Sequence, residues 1–110
     1  MSESSLQKEM TTIQRHLYNI ELSKALDSLY REFQNWKMGE QTPQELGKKI
    51  YHYQKTQARE LFLKYERPSF ADINIAQALV DNLISKSEIS SELLRFLSPK
   101  IELLKSTKNA

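Results

Sequence analysis

Residues 35–45, NWKMGEQTPQE, decide how the chain is built. Lys37 suits the negative end of a helix dipole and Gly39 the left-handed residue that follows a helix, so a first helical region stops here. Thr42 then offers an N-cap oxygen, Pro43 a preset first-turn φ, and Glu45 the reciprocal partner of a capping box. A second helix therefore begins almost at once. A stop and a start this close together predict two antiparallel neighbours.

Working toward the C-terminus, the second helix continues through KKIYHYQKTQARELFLKY (residues 48–65) to about Glu66 and ends before Pro68, because the residue preceding a proline is pushed out of helical angles. Ser69 is the expected cap of a third helix, with Asp72 as its partner. This helix, FADINIAQALVDNLI (residues 70–84), is apolar on most sides and predicts a central buried element. SKSEISSE breaks the pattern, Ser90 is the next expected cap, and SELLRFLSPKIELLK (residues 91–105) forms a last helix that Ser98-Pro99 either kinks or splits. The closing STKNA is expected to fray.

Working toward the N-terminus, a single helix from Ser5 to Met38 would be about 50 Å long. Its apolar residues change phase on the way. Leu6, Met10, Ile13, Leu17 and Ile20 alternate spacings of four and three, and so do Leu22, Leu26, Leu29, Phe33 and Trp36. The two series are offset by two residues, which at about 100° per residue sets them on nearly opposite faces. One straight helix cannot bury both against one core. Either the chain bends near Asn19 to Ser23 or opens with a separate short helix, or the first stripe is an interface with a partner or with a second copy in a homodimer, or this end is frayed. The expected organisation is an amphipathic N-terminal segment over residues 1–19, a helical domain over 20–106 and a tail at 107–110. Leu22 to Leu104 is the expected stable unit.

A chain of 110 residues, 39% hydrophobic and 27% charged, supports one core and is too apolar to be disordered. Two glycines, three prolines, and abundant Leu, Glu, Lys, Gln and Ala with no alternating apolar run predict an all-α fold, a small bundle of four or five helices. The absence of cysteine removes disulfides, thiolate metal sites and cysteine nucleophiles. The opening MSESSLQKEM has no basic region followed by an apolar run, and no apolar stretch approaches the roughly 20 residues of a membrane span. These features predict a cytoplasmic protein without membrane insertion.

The formal net charge of +2 is small for a dedicated nucleic-acid binder. Residues 41–67 nevertheless carry six Lys/Arg against three Asp/Glu. On an ideal helix Leu46, Ile50, Tyr53, Leu61 and Tyr65 face the core, while Lys48, His52, Lys55 and Arg59 recur at spacings of four, three and four within an arc of about 60° on the other side. That stripe is the candidate docking surface for an anionic partner. His52 has no carboxylate at helical spacing to orient it, so it is poorly equipped as a general base. His16 has no second histidine or acid three or four residues away, so a helical metal pair is missing. Ser69 and Ser90 are explained as caps rather than nucleophiles. Two glycines cannot form a phosphate loop. Phe33, Trp36, Tyr53, Phe62 and Tyr65 sit at helical spacing on apolar faces, as core residues do. IAQALVDNLISKSEISSELLRFL has the outline of a helix-turn-helix, but its second helix opens on Ser90, Ser91, Glu92, Leu93 and Leu94, which are poor readers of a phosphate-lined groove.

From Trp36 onward, WKMGEQTPQELGKKIYHYQKTQARELFLKY resembles a group of small uncharacterised bacterial all-helical proteins. Their pattern is close to W-x-x-G-E-[IL]-[ST]-x-x-E-L-x-x-x-I-H-x-F-H, followed by R-E-L and an aromatic residue. Ile50, Arg59, Glu60 and Leu61 match it. Tyr51 and Gln54 stand where the pattern has histidines, and His52 falls between them. The resemblance implies a bacterial cytoplasmic helical domain and brings no activity with it. The expected function is a non-enzymatic protein–protein interaction or adaptor module with no cofactor and no metal. The second reading is weak nucleic-acid binding through the basic stripe.

Overall fold

The hairpin encoded in residues 35–45 is realised bond by bond in the computed structural model, which describes residues 2–109. Helix α1, Ser2–Lys37, closes in a Schellman motif. Gly39 adopts φ 77°, its N–H donates to the Trp36 carbonyl at 3.0 Å, and the Glu40 N–H donates to the Asn35 carbonyl at 2.8 Å. Helix α2, Pro43–Tyr53, opens on the full capping box. The Glu45 N–H donates to Thr42 Oγ1 at 3.1 Å and the Thr42 N–H donates to Glu45 Oε1 at 3.0 Å. Thr42→Ala should therefore cost about 1 kcal/mol. Chemical denaturation checks this, and an unchanged midpoint would mean that the cap is idle.

Helix α2 does not run on as one regular helix. A π turn over Gln54–Ala58 separates it from α3, Arg59–Tyr65. A 3-10 turn at Pro68–Phe70 leads into α4, Ala71–Val80, and α5 spans Ser91–Asn109. Among the described residues there is no strand, so the chain is all-α. None of its helices is long and apolar enough to cross a membrane.

Two compact units emerge, residues 1–17 with 65–110 and residues 18–64. The first unit holds most of the core. Leu17, Ile75, Leu93 and Leu97 are fully buried, joined by Ile13, Leu79, Ile84 and Ile101, and each such side chain contributes roughly 1.5–3 kcal/mol of burial. Helices α4 and α5 pack on each other most extensively. Gln14 is buried among them and satisfied: its Nε2 donates to the Tyr65 and Arg67 carbonyls, both at 3.4 Å, and its Oε1 accepts from Asn74 at 2.9 Å. Glu9 caps α5 at one remove. It accepts from the Ser90 N–H at 2.8 Å and from Ser90 Oγ at 2.6 Å, while Ser90 Oγ accepts from the Leu93 N–H at 3.1 Å.

These contacts change the meaning of the boundary expected at residue 19. The two units meet in sequence between Leu17 and Tyr18, and residues 1–17 group with residues 65–110. Helix α1 does not break near Asn19 to Ser23, since its helical hydrogen bonding runs through to Lys37. The phase change has another cause. Ile13 and Leu17 of the first stripe are core residues of the first unit, and the second stripe lies wholly in the other unit. Summed along its whole length, α1 presents almost no preferred apolar face, as two stripes out of phase require. Of the remaining first-stripe residues, Leu6 and Met10 are half-buried in the first unit and Ile20 is half-buried in the second.

Two further expectations need correction. Ser69 caps nothing: it lies inside the 3-10 turn, Phe70 occupies the cap position of α4 without a side-chain bond, and Asp72 Oδ1 accepts from the Ile73 N–H instead. Of the two alternatives at Ser98-Pro99, the split is removed, because α5 continues through Pro99. The segment expected to fray remains helical through Asn109, and Ala110 lies outside the described residues.

Candidate functional site

The unit of residues 18–64 buries far less than its counterpart. Leu46 is its one buried hydrophobic residue among those described. A pair of helical segments offers each apolar stripe only one partner, so side chains at the stripe's edges stay in water. Tyr30 is 62% exposed, Met38 67%, Tyr51 59% and Phe62 51%. This corrects the expectation that Phe33, Trp36, Tyr53, Phe62 and Tyr65 are core. Only Tyr65, in the first unit, is buried; Trp36 and Tyr53 are half-buried, and Phe33 and Phe62 are exposed.

Among the unit's concave features, two are lined by these exposed aromatic residues. At the end of α1, Tyr30, Phe33, Trp36 and Met38 surround an apolar depression of about 510 Å³, with the Lys37 ammonium 5.1 Å from the centre of the Trp36 ring. A second groove, of about 640 Å³, is lined by Leu29 and Glu32 of α1 and by Lys48, Lys49, Tyr51, His52 and Tyr53 of α2, continuing into Lys55, Thr56 and Gln57 of the π turn.

The expected basic stripe is partly assembled in this second groove. Lys48, His52 and Lys55 all line it. Arg59 is exposed and is not among the lining residues. It follows the π turn, whose i→i+5 hydrogen bonding accommodates an additional residue and rotates everything beyond it relative to an unbroken α-helix. Lys49, which the spacing argument did not select, pairs with Glu32. The Lys49 ammonium, with help from the Gln41 amide, holds the Glu32 carboxyl below its ordinary value. The Lys55 ammonium stands 4.8 Å over the Tyr51 ring, a cation–π arrangement. Thr56 Oγ1 donates to the His52 carbonyl at 2.8 Å, tying the π turn back to α2. Among the described residues, Lys48, His52 and Lys55 take part in no ion pair.

Outside the groove, His16 Nε2 lies 3.9 Å from Glu88 Oε1. The two are far apart in sequence, so a search at helical spacing misses the contact. Among the described residues no group of three or more His, Asp or Glu side chains is placed to hold a metal ion. Comparison with known protein families, with curated proteins and with solved structures finds no match for this chain.

Proposed function

We propose that this chain is a cytoplasmic, non-enzymatic protein–protein interaction module that docks through the unit of residues 18–64. The observation that carries the reading is the contrast in burial. Residues 1–17 and 65–110 close a core around Leu17, Ile75, Leu93 and Leu97, whereas residues 18–64 leave Leu26, Tyr30, Phe33 and Met38 of α1 and its C-terminal turn exposed. Contiguous exposed apolar and aromatic residues rimmed by polar ones are how protein interaction sites present themselves, and aromatic anchors dominate the energy of such sites.

The test is affinity capture from the native cell with the full chain and with a Tyr30→Ser/Phe33→Ser/Met38→Ser variant. Circular dichroism first establishes that the variant keeps its helicity. Partners retained by the parent chain and lost by the variant are the expected result. A variant that retains every partner, or a parent chain that retains none, would remove the reading. Light scattering on both proteins identifies a second copy of the chain as the partner if only the parent is dimeric.

A further inference from the structure

The groove beside α2 carries charge as well as apolar surface, and its charge is unbalanced. Three lysines and His52 line it against one carboxylate, Glu32, and that carboxylate is already taken by Lys49. Lys48, His52 and Lys55 form no ion pair with a carboxylate of the lining, and stand around an apolar lining of Leu29, Tyr51 and Tyr53. Lys55 is further held in place by the Tyr51 ring. A π turn forms one end of the groove, and such turns are rare in helices and concentrate at functional sites.

The geometry points to a specific occupant: an acidic amphipathic helix of a partner protein, its apolar ridge against Leu29, Tyr51 and Tyr53 and its carboxylates against Lys48, His52 and Lys55. The inference rests on the interaction-module reading and adds the partner's chemistry to it. Length and charge both favour a helix. The α2 and π-turn residues that line the groove run from Lys48 to Gln57, about 15 Å of helix, which matches roughly three turns of a docked helix. A nucleic-acid backbone fits less well. It would set its phosphates beside Glu32 and would meet no arginine in the lining, although bidentate arginine contacts are common in phosphate recognition.

The experiment is a selection from a library of randomised helical peptides on the immobilised full chain, with counter-selection on a Lys48→Gln/His52→Gln/Lys55→Gln variant. That variant should keep its fold, because outward charges contribute little to stability. The expected peptides carry Asp or Glu beside apolar residues at i, i+3 or i+4. Their affinity should fall about tenfold or more on the variant and should weaken as salt rises from about 50 to about 300 mM. Neutral or basic winners, acidic winners that bind the variant equally well, or no enrichment would each overturn the inference. Non-acidic winners lost on the Tyr30→Ser/Phe33→Ser/Met38→Ser variant would overturn it while leaving the interaction module standing. A single-stranded or duplex oligonucleotide that binds at low salt more tightly than any selected peptide would replace it with the nucleic-acid reading.

Discussion

A chain that begins at Asn19 is expected to lose the cooperative folding of residues 65–109. The deletion removes Ile13 and Leu17 from the core that α4 and α5 build, and Leu17 is fully buried. Truncating one such leucine to alanine costs about 2–5 kcal/mol, because the surroundings collapse only partly into the space left. The deletion also takes away Gln14, the hydrogen-bond partner of the Tyr65 and Arg67 carbonyls and of Asn74, and Glu9, the acceptor of both Ser90 donors at the start of α5. Of these bonds the one to the Tyr65 carbonyl is buried, and a buried polar group deprived of its partner costs roughly 1–3 kcal/mol. Against a total stability of about 5–15 kcal/mol these losses are decisive. Hydrogen exchange should show the α4 and α5 amides losing protection, and Leu17→Ala alone should lower the melting temperature of the full chain sharply. If the truncated chain keeps full protection across residues 71–101, the first segment is dispensable and the core closes without it.

The contrast with the sequence reading shows which signals are local and which are not. Gly39, Thr42, Pro43, Glu45 and Ser90 each act through backbone groups within a few residues of themselves, so their roles as caps and stops could be assigned from the letters alone. The fate of the stripe Leu6 to Ile20 could not. Its phase says that it needs a partner surface distinct from that of Leu22 to Trp36, but whether α4 and α5, a bend or another chain supplies that surface depends on contacts between residues more than fifty positions apart, of the kind Gln14 makes with Tyr65. Ser69 fails for a related reason. The residues after Pro68 enter a 3-10 turn before the α-helix begins, which moves the cap position one residue along to Phe70. The π turn is harder still to anticipate, because an ideal-helix projection assigns Arg59 to the same stripe as Lys48, and nothing in QKTQA announces the additional residue. Exposure at Phe33 and Phe62 was hidden as well: periodicity identifies an apolar face but does not say whether enough structure packs against it to exclude water.

Replacing Pro99 should stabilise the chain. The proline lies in the interior of α5, which continues for ten residues beyond it, and in that position it has no N–H to give the Arg95 carbonyl while its ring crowds the turn below. A proline in a helix interior is about 3 kcal/mol less favourable than alanine. Part of that gain is offset, since the ring also restricts the unfolded chain, an effect worth about 0.4–1 kcal/mol. Pro99 is exposed, so Pro99→Ala gives up little packing, and the neighbouring Ser98 hydroxyl keeps its bond to the Leu94 carbonyl at 3.0 Å. A net gain of about 2 kcal/mol should raise the melting temperature by roughly 10 °C for a domain of this size. Calorimetry reads this directly. A lower melting temperature would carry a different message. Leu97 and Ile101 are buried on either side of the proline and Lys100 reaches Asp72 at 3.2 Å, so a loss on substitution would mean that the local backbone set by Pro99 is what seats these residues against α4.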